Sequence, residues 1–335
     1  MSATADKPSV PVIDVSALVD DPDSSSAFEV ANEIDAACRG YGFFSIVGHG
    51  ADMSMLRRLE VAARTFFELD DAEKQRIAMP LGGPAWRGWF PAGGELTSGV
   101  PDGKEGIYFG TELPSSDPRV ANGVPLHGAN QFPANPSELR PLVLAWLDEM
   151  RTVSVAVMRG ISAGLGLRPD FFETTLTVDP TILFRIFTYA AVPDDHPGWG
   201  VGEHTDYGLL TLLAQDDLGG LQVRIGDQWI DVPPRADAIV CNLGDMLELM
   251  TGGRYRSTPH RVVSPTARAR LSFPYFFDPS FDATVIPVVD AADMGAVNDD
   301  RWDGASPLAF RGTYGDYLTG KVAKVFPELF ASLEP

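Results

Sequence analysis

The chain has 335 residues, enough for one large core or two modest ones, and a formal net charge of −20. A surface that acidic repels phosphate backbones, and no apolar run approaches the ~18 residues of a membrane span, so neither nucleic acid nor a membrane is an expected partner. The opening segment MSATADKPSVPVIDV lacks the basic and apolar blocks of a secretion signal, which points to the cytoplasm, and the two cysteines, Cys38 and Cys241, lie in apolar runs as buried free thiols rather than as a disulfide framework.

In chain order, residues 1–10 read as a loose terminus and Val12–Val15 as a short strand. Phe28, Val30, Ala31, Ile34, Ala37 and Cys38 share one face at helical spacing, which predicts a helix over Phe28–Cys38. Tyr41–Val47 reads as a strand stopped by Gly48-His49-Gly50, and Met53–Phe67 as a second amphipathic helix. Residues 80–136 are rich in Gly and Pro with interspersed aromatics, which predicts a long ordered loop covering something. Pro141–Leu165 carries apolar residues at helical spacing and ends at Gly164 and Gly166.

After residue 180 short apolar runs follow one another: ILFRIFTYA, GLLTLLAQD, GLQVRIGDQWIDV, AIVCNLGD, HRVVS and RLSFPYFF. Gly226-Asp227 sits where a hairpin turn would. Helices first and a β-rich block second make the chain α+β, and the many short strands suggest a sandwich or jelly roll. The expected division is an N-terminal region over 11–130 with a substrate-covering loop at about 80–130, a scaffold helix over 141–165 and a β core over 180–285, together forming one compact unit.

Within the β block, His204-Thr205-Asp206 puts an imidazole and a carboxylate on one face of an extended segment. His260, in STPHRVVS, is the candidate third ligand. Two histidines and one carboxylate on one face of an octahedron leave three positions open, the arrangement of non-haem Fe(II) oxygenases. Arg270 and Ser272 also share a face, and a turn near residue 266 would fold their strand back so that Ser272 lies opposite His260. A guanidinium plus a hydroxyl suits a distal carboxylate. His49, His127 and His196 are read as non-ligands, because the triad needs only two histidines.

At these residues the chain resembles the isopenicillin N synthase-like branch of the Fe(II)/2-oxoglutarate-dependent oxygenases. PVIDVSAL and CRGYGFFSIVGHG resemble its N-terminal region, while GEHTDYGLLTLLAQDDLGGLQV, NLGDMLELMTGGRYRSTPHRV and RLSFPYFFDP resemble its catalytic core. The resemblance implies a double-stranded β-helix, iron on His204, Asp206 and His260, and 2-oxoglutarate and dioxygen as co-substrates. It also implies that Arg270 and Ser272 bind the C5 carboxylate of 2-oxoglutarate, with Tyr189 adding a hydroxyl. Where many plant relatives have Asn-Tyr-Tyr-Pro, this chain has Phe187-Thr188-Tyr189-Ala190. Arg185 is the candidate to replace the missing Asn contact, with a structural strand arginine as the alternative. GWFPAGGELTSGVPDGKEGIYFG resembles a loop of microbial members that includes the ethylene-forming type, which implies Glu95 and Thr97 near the substrate, and Phe276 matches a ring that lines the pocket.

The reaction so implied is oxidation of an unactivated C–H bond of a small molecule, normally hydroxylation, with release of succinate and carbon dioxide. An Fe(II) oxidase working without 2-oxoglutarate, an ethylene-forming enzyme and a zinc hydrolase on the same three ligands are the alternatives. The substrate is apolar or planar if the aromatics of the loop line the site, and polar if Glu95 and Arg87 do. Lys104-Glu105 reads as a surface ion pair.

Overall fold

The computed structural model describes residues 9–97, 100–192, 199–264, 267–290 and 310–325. Its strands are β1 (Val12–Asp14), β2 (Phe43–Val47), β3 (Gly88–Phe90), β4 (Leu96–Thr97), β5 (Val100–Pro101), β6 (Lys104–Gly110) and β7 (Pro180–Tyr189), followed by β8 (Trp199–His204), β9 (Leu210–Gln215), β10 (Leu221–Ile225), β11 (Gln228–Asp231), β12 (Ile239–Leu243), β13 (His260–Val263) and β14 (Arg270–Ser280). A large sheet runs β1-β2-β12-β9-β14-β7-β6-β3 and a small one β11-β10-β13-β8, with β4 and β5 as a separate pair. Residues of both larger sheets line one central cavity, so the two face each other as the halves of a jelly roll.

The central strands β7, β9 and β14 are buried along nearly their whole length, which is why they read as continuous apolar runs rather than alternating ones. The helix Leu139–Gly164 packs against the helices Ser25–Gly40 and Met53–Phe67 and touches β9 and β14 of the large sheet. Ser24 caps Ser25–Gly40 by accepting from the Ala27 N–H, and Asp52 caps Met53–Phe67 by accepting from the Ser54 N–H. Gly226 takes a positive φ in the two-residue turn that joins β10 to β11, as its sequence predicts. Cys38 and Cys241 are free and fully buried. No helix among the described residues is long and apolar enough to cross a membrane.

Three expectations are corrected. The stretch 80–136 is not one covering loop: β6 pairs with β7 and β3 with β6, so it completes an edge of the large sheet, and Trp86, Trp89 and Phe109 belong to the core. Lys104 and Glu105 do not pair, because neighbours on a strand point to opposite faces. Lys104 is buried against Asp102 and Glu95, while Glu105 accepts from Lys74 and from the Trp89 indole. Nor do β13 and β14 form a hairpin. β13 pairs with β8 and β10, and β14 with β7 and β9, so Ser272 faces Phe187 and Gln215 instead of His260. An eleven-residue strand buried on both faces belongs at the centre of the large sheet, whereas β13 belongs to the small one. Pro265 and Thr266, within the expected turn, lie outside the described residues.

Candidate active site

The end of β8 and the start of β13 are antiparallel neighbours, and the register sets His204 directly against His260. Their ring centroids are 4.2 Å apart. The chain then turns through Asp206 into β9. This turn is clamped by close packing: a Cβ on Gly208 would overlap the Asp278 carboxylate, and one on Gly244 would overlap the Gly208 backbone. The Asp245 N–H donates to the Asp206 carbonyl at 2.7 Å.

One ligand atom from each of His204, Asp206 and His260 lies within 4.8 Å of the other two. Each is held by a partner that leaves the ligating atom free. The Nδ1–H of His204 donates to the Gly202 carbonyl at 2.8 Å and that of His260 to the Thr258 carbonyl at 3.2 Å, which turns both Nε2 lone pairs to the centre. Asp206 Oδ2 accepts from the Thr211 hydroxyl and the Asn242 amide, each at 2.6 Å, and Oδ1 faces His260 Nε2 at 3.9 Å. Burial, followed by the adjoining His260, pushes the His204 imidazole down to about 3, so its ring is a neutral donor at ordinary pH. Burial works against ionisation of Asp206, but the two imidazoles and the Asn242 and Thr211 donors more than offset it, and the carboxyl sits below the usual range. Two imidazoles and one carboxylate suit a divalent transition metal.

The triad opens into a cavity of about 460 Å³. On one side Arg270, 1 % exposed, donates through Nε to the Gly219 carbonyl and through Nη2 to Gln215 at 3.0 Å, while its buried Nη1 has no hydrogen-bond partner. Ser272 and Tyr189 share a hydrogen bond of 3.2 Å, and Arg270 stands 5.0 Å over the Tyr189 ring, its cross-strand neighbour. An unpaired guanidinium N–H beside two hydroxyls is an incomplete carboxylate site, which fits the distal end of a dicarboxylate.

Arg185 is not among these groups. It lies four residues before Tyr189 on the same face of β7, about 13 Å away along the strand. Its guanidinium carbon is 4.3 Å from the centre of the Tyr108 ring and 4.7 Å from that of Phe276, and its Nη1 is 3.7 Å from Glu95. Glu95 accepts from the Tyr108 hydroxyl at 2.7 Å and pairs with Lys104 at 3.0 Å. Thr97 lies on β4, with its side chain outside the described residues. Arg87 is no part of the cavity: it is 2 % exposed and donates to the Leu126 carbonyl.

His49 accepts from the Ala51 N–H and His127 donates to the Pro125 carbonyl, both local turn contacts, and His196 lies outside the described residues. Sequence reasoning missed Thr211 and Asn242, although a polar residue inside an apolar run such as LLTLL or IVCNL signals a buried partner. It also missed the helix Tyr314–Val325, whose Leu318, Lys321 and Lys324 line the cavity.

That helix is pinned by Asp278 on β14, which accepts from the Tyr314 hydroxyl and the Leu209 N–H. Burial outweighs both donors and pushes its carboxyl up to about 7 from an ordinary value of 3.8. The folded state therefore binds this proton more tightly than the unfolded chain, and stability falls as pH rises from about 4 to about 7 and then levels off. Asp278→Asn keeps the shape and removes that penalty. Its thermal midpoint exceeds wild type by several degrees at about pH 8, and the gap closes near pH 4. Superimposable stability–pH curves for the two proteins would refute the assignment.

Comparison with known proteins matches residues 10–135 to the family model "non-haem dioxygenase in morphine synthesis N-terminal" and residues 180–279 to the model "2OG-Fe(II) oxygenase superfamily". The chain is 42 % identical to a probable iron/ascorbate oxidoreductase of Dictyostelium discoideum, over 96 % of this chain and 95 % of the relative. It is 37 % identical to a homoarginine-6-hydroxylase of Glycine max, over 96 % and 98 %. The crystal structure of a full-length Neurospora crassa protein in complex with alpha-KG superposes with a TM-score of 0.76 at 27 % identity, covering 94 % of this chain and 96 % of that one.

Proposed function

Since the chain belongs to the isopenicillin N synthase-like family of Fe(II)- and 2-oxoglutarate-dependent oxygenases, we propose that His204, Asp206 and His260 hold the iron, that Arg270, Ser272 and Tyr189 hold 2-oxoglutarate, and that a polar small molecule is hydroxylated beside Arg185, Glu95 and Phe276. Membership fixes the class: a 2-oxoglutarate-dependent dioxygenase that uses Fe(II) and dioxygen and oxidises a small molecule with release of succinate and carbon dioxide. The single observation that carries the residue assignment is convergence. The three ligand atoms and the partnerless Nη1 of Arg270 belong to one cavity, with the Ser272 and Tyr189 hydroxyls beside it.

When bound, iron with 2-oxoglutarate supplies a two-electron oxidation of the substrate, one dioxygen oxygen going to the C–H carbon and the other to succinate. The chain's own residues do the positioning. Gly202 and Thr258 fix the two imidazole tautomers, Thr211 and Asn242 fix the rotamer of Asp206, and Arg270 sets the reach of the co-substrate. Phe187 and Leu213 add apolar walls that limit water. The ionised Glu95–Lys104–Arg185 group favours a polar substrate over an apolar planar one. A net charge of −20 argues against polyanionic partners, and we place the reaction in the cytoplasm.

The test is an anaerobic Fe(II) titration followed by 2-oxoglutarate. The visible charge-transfer band of a chelated 2-oxo acid is expected in wild type, as is oxygen-dependent succinate release. Iron binding with no band would remove 2-oxoglutarate from this site.

A further inference from the structure

Charge in the cavity is distributed against the charge of the chain. The chain carries −20, yet the cavity lining holds the cations Lys104, Arg185, Arg270, Lys321 and Lys324 against the acids Glu95, Asp206 and Asp278. The balance is more cationic than that count, because burial pushes the Asp278 carboxyl up to about 7. Arg270 is matched by 2-oxoglutarate and Asp206 by the metal. Glu95 is already matched, by the Tyr108 hydroxyl and by Lys104. Lys104 in turn has Asp102 at 2.6 Å.

What is left underpaired on the substrate side is positive. The Nη1 of Arg185 reaches Glu95 only at 3.7 Å, and its Nε has no hydrogen-bond partner. Its guanidinium is held over the Tyr108 ring at 4.3 Å and the Phe276 ring at 4.7 Å, which come from the two strands that flank β7. The side chain keeps 15 % of its surface open, and that surface contributes to the cavity. A fixed guanidinium edge is built for bidentate contact with a planar anion. Lys321, from the C-terminal helix, meets Asp245 only at 3.5 Å, stands 5.3 Å from the centres of the Tyr207 and Tyr317 rings, and is 24 % open.

We propose that the molecule oxidised here is a carboxylic acid, and that Arg185, assisted by Lys321, reads its carboxylate. Arg185 is thus a specificity-determining residue and not a ligand of the co-substrate. The inference rests on the oxygenase reading of the cavity, and the experiment separates the two. The anaerobic Fe(II)·2-oxoglutarate complex is titrated with L-homoarginine, L-arginine, benzoate and hexanoate, each beside its primary amide, and perturbation of the visible band is read.

At least one acid perturbs the band, and its amide binds about a hundredfold more weakly or not at all. Arg185→Gln weakens that acid by about a hundredfold, Arg185→Lys by somewhat less because the charge stays and the fork is lost, and Lys321→Met by about tenfold. Lys321 is part-exposed on a terminal helix, so its variant stands as evidence if the Arg185 variants misfold. The inference is overturned if no acid perturbs the band, if amides bind as well as acids, or if Lys321→Met and the folded Arg185 variants bind the acid like wild type. Loss of the band itself in Arg185→Gln moves Arg185 to the co-substrate and also overturns it. Failure of the wild-type complex to form any band counts against the oxygenase assignment instead.

Discussion

His204→Ala and Asp206→Ala bind Fe(II) at least about a hundredfold more weakly than wild type and release no succinate above background. The size of the effect follows from geometry. Three protein ligands are the minimum that fixes a facial site, and each is locked by a partner that becomes useless without it. Removing Asp206 takes away the one negative charge among the three ligands, and it leaves the Asn242 amide and the Thr211 hydroxyl buried without their shared acceptor. Removing His204 leaves His260 and Asp206 with too few donors to compete with water. The supporting residues give a graded control: Asn242→Leu keeps all three ligands and loses about tenfold to a hundredfold in iron affinity, because the Asp206 rotamer is no longer pinned. Bound iron per chain, measured anaerobically, and succinate release check the series. Wild-type iron affinity in either ligand variant would sink the triad.

Much of this site could be read from the sequence because its groups lie in short local patterns. His204 and Asp206 are two apart on an extended segment, as are Arg270 and Ser272, and a period of two places each pair on one face whatever surrounds it. The helix over Met53–Phe67 was equally legible, from sustained apolar spacing. What could not be read is which strand lies beside which. Ser272 was expected opposite His260 because a polar turn separates two apolar runs, but that pattern is the same for a hairpin and for a crossing between sheets. β6 was hidden for a different reason: KEGIYFG has two glycines in a buried strand, one lying against Phe187 and the other against Arg87, and each looks like a loop residue in one dimension. Lys104 misled similarly. A lysine beside a glutamate suggests a surface pair, and only the pleat sends the two to opposite sides. The C-terminal helix enters the cavity from far along the chain, and no local motif announces Lys321.

Arg270→Ala abolishes the 2-oxoglutarate band at concentrations that saturate wild type and raises the KM for 2-oxoglutarate by about a hundredfold to a thousandfold, with iron affinity unchanged. The guanidinium is 1 % exposed and held by Gly219 and Gln215, so it is preorganised and its free Nη1 loses little freedom on binding an anion. Truncating one partner of a buried charge-assisted pair costs about 2–5 kcal/mol, which spans that range of KM. Ser272→Ala removes only a neutral hydroxyl and costs about tenfold. Arg270→Lys retains the charge but cannot contact Gly219, Gln215 and a carboxylate at once, so it falls nearer to Ala than to wild type. The iron titration guards against misfolding: the groups that hold His204, Asp206 and His260 are distinct from those that hold Arg270, so a folded variant keeps the metal. An Arg270→Ala protein that binds iron and still forms the band at wild-type 2-oxoglutarate would move the co-substrate to Arg185, the other arginine that lines the cavity among the described residues. Arg270 lies across from Tyr189 at one end of β7 and Arg185 lies further along the same strand, so one variant of each decides which end holds the co-substrate and which the substrate.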